Sequence, residues 1–320
     1  MKLENIDTIT VIGLGRMGHG IAQTFAVAGY QVQGFDESAD ARNSTLTRIR
    51  RNLDQLVAHE LLPENAIEET LDRITIKNSE SQAAEGAQFV VEAIAEDRIE
   101  KQDYFARIEN CVPDDTILAS NSSTFTISES GIKMRQPDRA LVTHWFNPPH
   151  IVPTVEIVPG PTTTKEVTET TLALHKKIGK LAVRLNFEIP GFLVNRIQTA
   201  LVREVWDLYD RGVASAEDID AAVQGSLGFR LATCGQLAVC DSAGLDIWST
   251  VFQGLAPHIR SDAEIPKSIQ TLIDNGNLGL TTGAGIHNYQ GATPEELSSQ
   301  RDAKLLRQAK HLRHESLQKD

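Results

Sequence analysis

No run of about 18 consecutive apolar residues occurs in the chain, so no segment is expected to cross a bilayer as a helix. The opening residues, MKLENIDTITVIG, lack the basic end, apolar centre and small-residue cleavage site of a secretory leader. They read as the approach to a β-strand. Cysteine is scarce: Cys111, Cys234 and Cys240 form neither a disulfide framework nor a CxxC metal pair. A reduced, cytoplasmic protein without a metal site is the expectation. Positive charge is also short, with 31 Lys and Arg against 43 Asp and Glu and a net charge of −12. That balance argues against a nucleic-acid or anionic-membrane partner, while leaving room for a local basic pocket. Repeats and low-complexity tracts are missing too. What remains is an ordinary soluble composition, 41% hydrophobic and 23% charged over 320 residues, enough for about two domains.

From residue 8 to about 186, short β-branched runs alternate with longer helical patterns. Strands are expected at 8–13, 30–36, 88–94, 116–121, 141–146, 154–158 and 181–186. Such alternation predicts an α/β domain with a mainly parallel sheet wrapped by helices. Between strands, residues 42–72 form a charged stretch too polar to be core all round, read as a helix pair projecting from the sheet. After EIPGF the character changes, and Pro190–Gly191 punctuate the chain. No convincing strand follows; helices are expected at 192–211, 216–224, about 235–255 and 265–275. The boundary is placed near 188, giving an α/β domain over 1–188 and an all-α domain over 189–320. The charged amphipathic tail from Thr293 is expected to pack back weakly.

The run VIGLGRMG supplies Gly13, Gly15 and Gly18 in GxGxxG spacing, after an expected strand and opening an expected helix. The glycines serve a tight turn, a close approach of backbone to pyrophosphate, and helix–strand packing. Phosphates would meet the free N–H groups of the helix N-terminus, with Arg16 and Met17 in the turn beside them. Asp36 ends the next strand, where a carboxylate accepts adenosine ribose hydroxyls. Glu37 and Ser38 follow it with no adjacent arginine for a 2′-phosphate. NAD is therefore the expected cofactor.

Other expected strand ends carry polar side chains: Glu92, the Asn121–Ser122–Ser123 cluster, His144 and Glu156. A glutamate inside TVEIV is costly in a sheet covered on both faces unless it is paired. Pairing with His144 resolves the burial problem of each residue and stabilises the imidazolium formed when the ring accepts a proton. That suits proton abstraction from an alcohol during hydride loss to nicotinamide.

The motifs GLGRMG, VVEAIAED, SNSS, HWFNP, VEIV and PGFLVNRI resemble, in order, those of the 3-hydroxyacyl-CoA dehydrogenase family. The resemblance runs from about residue 8 to 289. It implies a Rossmann-like domain followed by an all-helical domain that makes a homodimer. It also implies that His144 is the catalytic base, that Glu156 holds and polarises it, and that Ser123 and Asn195 contact the substrate 3-oxygen. Glu92 and Asn147 match positions near the nicotinamide ribose and ring, Lys101 lies in the helix lining that pocket, and Asn121 joins the cofactor set. An apolar helix face, Phe192, Val194, Ile197, Leu201, Val205 and Leu208, fits a dimer contact. His150 has no matching role and reads as structural or rim.

The sequence departs from the CoA-using members in the helix pair, where DQLVAHELLPEN contains no lysine and only Arg48, Arg50 and Arg51 could meet phosphates. FNPPHIVPTVEIVPG and LGFRLATCG are closer to the L-gulonate 3-dehydrogenase and carnitine dehydrogenase branch, whose substrates carry no CoA. SNSS and GNLGLTTGAGIHNY are closer to the hydroxybutyryl-CoA type. The leading expectation is oxidation of a short L-3-hydroxyacyl-CoA. The alternative is the same chemistry on a free polar 3-hydroxy acid or alcohol.

Overall fold

β-Branched and apolar runs bounded by glycine and short polar turns build a sheet of eight strands in the computed structural model, which describes residues 1–289 and 291–317. Residues 318–320 of the expected tail helix fall outside the described residues. The strands are β1 (Thr8–Ile12), β2 (Gln31–Phe35), β3 (Ile74–Ile76), β4 (Phe89–Glu92), β5 (Ile117–Ser120), β6 (Ala140–Trp145), β7 (Thr154–Pro159) and β8 (Leu181–Arg184). Their order is β3-β2-β1-β4-β5-β6-β7-β8. Every neighbouring pair is parallel except β6–β7. The one reversal has a local cause. Phe146–Pro153, the connection between β6 and β7, is too short for the crossover that a parallel pair requires.

Alternate residues of each central strand serve the two faces. Ile9, Val11, Phe89, Val91, Ile117, Ala119 and Leu141 join one apolar cluster. Val90, Leu118, Ala140 and Val142 join the other, with Phe192. A sheet buried on both sides is the normal state of a parallel sheet flanked by helices. The helices over it are α1 (Gly18–Val27), α2 (Ala39–Ala58), α3 (Ala66–Asp72), α4 (Glu80–Ala84), α5 (Arg98–Ile108), α6 (Ile127–Ser130) and α7 (Lys165–Lys177). The inserted pair α2–α3 follows the polar stretch read from the sequence. Ser38 caps α2 through its side chain, and only Thr45, Ile49, Leu53 and Leu56 of α2 are buried. β3 was not anticipated; it is three residues long and lies at the sheet edge.

Helix α8 (Val194–Asp210) follows, then α9 (Ala216–Ala222), a π-helical stretch Val223–Gly228 and α10 (Phe229–Leu231). Next come α11 (Gln236–Ala243), α12 (Leu245–Leu255), α13 (Lys267–Asp274) and α14 (Pro294–Leu317). The helix expected across 235–255 is interrupted at Gly244, whose φ of 98° ends α11. Two compact units result: Met1–Asn195 together with the chain from Gln300 onward, and Arg196–Ser299. Leu306 of α14 is 1% exposed within the larger apolar cluster of the first unit.

Candidate active site

A cleft of about 870 Å³ opens along the carboxyl ends of β1, β2, β4 and β5, lined by Gly13, Gly15, Arg16, Met17, Asp36, Glu96, Asn121 and Ser123. Its floor is the glycine turn. Gly13 has φ +88°, and a side chain there would collide with the carbonyl of Ala93. One on Gly18 would collide with the carbonyl of Gly13, so α1 sits against the turn only because Gly18 lacks Cβ. At Gly15 a Cβ would meet no protein atom, which leaves that approach to the backbone open. No side chain caps the N-terminus of α1. Its unpaired amides and dipole are therefore available to an anion.

Asp36 closes the cleft's far side. Its Oδ2 accepts the amide of Leu14 at 2.6 Å and its Oδ1 that of Ser38 at 2.8 Å. The carboxylate is thereby fixed at the end of β2, where it repels a 2′-phosphate. Arg42 does not offset it, because its guanidinium is turned onto the carbonyls of Asp36 and Glu37. The donor set and the open glycine turn together fit NAD.

Glu92, expected near the nicotinamide ribose or ring, and Lys101, expected on the helix lining that pocket, do not themselves line the cleft. They form a buried ion pair at 2.6 Å, both side chains 1% exposed. Glu92 also accepts Ser120 Oγ at 2.6 Å and the amide of Ile94 at 2.9 Å. The pair thus ties β4, β5 and α5 together beneath the cavity wall. Among the carboxylates that do line the cleft, Glu96 is the one that gathers the turn after β5. Its Oε1 accepts Ser122 Oγ at 2.6 Å, Ser123 N at 2.9 Å, and Thr124 N and Oγ1 at 3.0 and 2.8 Å. Burial favours the neutral form of Glu96, but hydrogen bonds from Ser122 and Thr124 and the charge of Lys101 outweigh it and hold the carboxyl below the usual range. Its sequence signal was the second acid of EAIAED.

In the antiparallel β6–β7 register His144 stands directly opposite Glu156. His144 Nδ1 is 2.7 Å from Glu156 Oε2. The carboxylate is acceptor-only when ionised, so Nδ1 carries the proton and Nε2 presents its lone pair. That nitrogen lies 3.2 Å from Ser123 Oγ at the cleft. Glu156 Oε1 accepts the amides of Leu193 and Val194 at 3.0 and 2.8 Å. The same carboxylate therefore anchors the first turn of α8, where the helix dipole favours a negative charge. Phe146 and Phe192 enclose the imidazole, with ring centroids 4.5 and 5.4 Å away.

Asn195 Nδ2 donates to the Ser123 carbonyl at 3.1 Å, joining the group. Asn121 Oδ1 accepts the amide of Trp145 at 3.0 Å and so holds β6 to β5. Asn147 is exposed, at a cis Asn147–Pro148 bond, and does not line the cleft. Phe192 is buried against His144 and leaves the apolar face assigned to it on α8, whereas Ile197 and Leu201 stay exposed. His150 lies outside the cleft, and burial lowers it to about 3.

Two family models match the chain. The model for the 3-hydroxyacyl-CoA dehydrogenase NAD binding domain matches residues 8–188, and that for the C-terminal domain matches 191–289. A 5-formyl-3-hydroxy-2-methylpyridine 4-carboxylate 5-dehydrogenase of Mesorhizobium japonicum is 32% identical, covering 94% of this chain and 96% of its own. A crystal structure of an enzyme of that activity, described as an NAD+-dependent dismutase, superposes with a TM-score of 0.87 at 31% identity, covering 94% of this chain and 96% of that one. The (S)-3-hydroxybutyryl-CoA dehydrogenase of Ralstonia eutropha gives 0.73 at 30% identity, over 89% and 99%. A glycine turn at an uncapped helix N-terminus, a carboxylate fixed at the end of β2, and a histidine held between a carboxylate and a serine thus lie in a chain matched from residue 8 to 289 by two consecutive domain models: this is an NAD-dependent oxidoreductase belonging to the 3-hydroxyacyl-CoA dehydrogenase family.

Proposed function

We infer that the chain oxidises the secondary alcohol of a small 3-hydroxy acid that carries no coenzyme A. The carrying observation is the state of the cations on α2. Arg48, half-buried, donates to the carbonyls of Leu14 at 2.7 Å and Gly15 at 3.2 Å. Arg50 makes a two-pronged pair with Glu68 at 2.7 and 2.9 Å. Arg42 is committed to backbone carbonyls. Among the described residues, Arg51 is the one arginine of this helix without a partner, too little to hold a nucleotide bearing several phosphates. The relative whose printed substrate is a formylpyridine carboxylate supports a substrate without coenzyme A, though not the secondary alcohol. A CoA thioester is the second reading, favoured by the 3-hydroxybutyryl-CoA dehydrogenases at similar identity.

NAD, when bound, supplies the hydride acceptor. The chain's part is proton handling and orientation. Nε2 of His144 takes the hydroxyl proton, and the Glu156 side chain, bound to the first amides of a helix, balances the resulting imidazolium. The Ser123 hydroxyl and Asn195 amide hold the substrate oxygen. Phe146 and Phe192 keep water from the ring, which strengthens each of these interactions. Gly13, Gly15, Arg16, Met17, Gly18, Asp36 and Asn121 hold the cofactor, and Glu92 and Lys101 fix the wall behind it. A second copy of the chain is proposed to cover the helical unit, where Leu237, Leu245 and Phe252 are 82%, 64% and 71% exposed.

The deciding measurement is NADH formation with 3-hydroxybutyrate, gulonate and carnitine beside 3-hydroxybutyryl-CoA. Turnover of at least one free acid, with little on the thioester, is expected. Turnover confined to the thioester sinks the reading.

A further inference from the structure

The turn that carries Ser123 is held by side chains. Ser122 N donates to Ser120 Oγ at 3.2 Å, and the Ser123 carbonyl accepts Asn195 Nδ2 at 3.1 Å. Between them, Ser123 N and Thr124 N both donate to Glu96 Oε1, at 2.9 and 3.0 Å. Successive amides that converge in this way make a concave cradle for an anion. The hydroxyls of Ser122 and Thr124 complete it at 2.6 and 2.8 Å. A single carboxylate oxygen thus takes four donors from three consecutive residues. The other oxygen faces a buried cation: Lys101 Nζ lies 3.3 Å from Glu96 Oε2 and 2.6 Å from Glu92 Oε1. Glu92 in turn accepts Ser120 Oγ at 2.6 Å, the same oxygen that takes the amide of Ser122. Both ends of the turn therefore lead back to one lysine, whose side chain is 1% exposed.

Displacing any member of such a cluster would leave a charge unpaired where burial penalises it, so the cluster is stiff. What it fixes is the serine. Ser123 Oγ stands 3.2 Å from His144 Nε2. A hydroxyl on a single carbon reaches only as accurately as its backbone is placed, and a misplacement of about 1 Å at a reacting centre can cost about 10²-fold in rate. Glu96 also lines the cofactor cleft, so support of Ser123 must be separated from contact with the cofactor. The hydrogen bonds favour support, because Oε1 is filled by the turn and Oε2 faces Lys101.

We propose that Glu96, braced by Lys101, is the positioning residue of Ser123 and acts on the reaction through that serine. This role rests on the one given to Ser123 above and is the same whether or not the substrate carries coenzyme A. The test is a double-mutant cycle in the full-length protein. It is read as kcat at saturating NAD, with whichever of 3-hydroxybutyrate, gulonate, carnitine and 3-hydroxybutyryl-CoA the wild type turns over fastest. Glu96→Gln keeps the shape of the side chain but offers one oxygen to two sets of donors. Wherever its amide nitrogen points, a donor meets a donor. Glu96→Gln should lower kcat about tenfold in wild type, and by less than about twofold in Ser123→Ala, where the serine is already gone. Glu96→Ala should repeat the pattern; unchanged circular dichroism melts show that the variants fold. An equal fall in both backgrounds overturns the role, because Glu96 would then act by a route other than Ser123. A kept kcat, with or without a raised KM for NAD, overturns it too, and a raised KM would assign Glu96 to the cofactor alone. Wild-type kcat in Ser123→Ala would overturn the role of Ser123 itself and that of Glu96 with it.

Discussion

A proton taken up at Nε2 of His144 puts a positive charge on a ring that is 2% exposed and flanked by two phenylalanines. Water cannot stabilise that charge there, so the carboxylate 2.7 Å away must. His144→Ala should therefore lower kcat by ~10²–10⁴ and leave NAD affinity unchanged by equilibrium titration. A variant with near-normal turnover would remove His144 from the role. This histidine–glutamate pair was legible because each residue interrupts an apolar strand and needs a partner. The cofactor-side acids were less legible. Glu92 and Glu96 stand one helical turn apart in sequence, and their fates depend on where β4 stops. Glu92 is its last residue and turns inward to Lys101, while Glu96 lies beyond Ala93–Ala95 at the cleft.

Helix α2 is tied to the glycine turn rather than simply projecting from the sheet. Through Arg48 it satisfies two carbonyls, those of Leu14 and Gly15, in the loop that must meet pyrophosphate. Arg48→Leu should cost about 2 kcal/mol of stability, the usual range for a buried acceptor left unpaired. It should also raise KM for NAD while sparing kcat; unchanged urea denaturation and KM would show that the loop stands without α2. The helix pair itself was readable from polar composition, and the strands from β-branched runs. The direction of β7 was also available in principle, since Phe146–Pro153 leaves no room for a crossover. β3 was not, because three residues carry too little pattern to announce an edge strand.

At the scale of the whole molecule, buried histidines set an acid limit. Burial lowers His175 to about 4 and His150 to about 3, against 6.5 for a free imidazole. The folded protein thus favours neutral rings. Their contribution is intact above pH 6.5 and is lost as pH falls from there toward 4, at roughly 1.4 kcal/mol per pH unit for each group. His175 packs against Phe25, Phe89 and Trp145. His175→Met should show a shallower fall in Tm between pH 7 and 5 than wild type, whatever its Tm at neutrality; parallel curves would refute the assignment. An α/β part followed by a helical part was legible from the change of pattern after Pro190–Gly191. The tail was expected to pack back weakly; that α14 joins the first unit was not legible, because its charged surface hides the deeply inserted Leu306.

That return bears on how such a chain can be cut or recombined. The nucleotide-binding unit is not one contiguous stretch: it closes only when residues beyond Gln300 come back to it. A chimera joined once, near residue 195, would bring a foreign final helix to a socket shaped for Leu306. An isolated fragment 1–195 would expose that socket to water. Exchanges that keep the foldable piece whole need two junctions, one at each passage of the backbone.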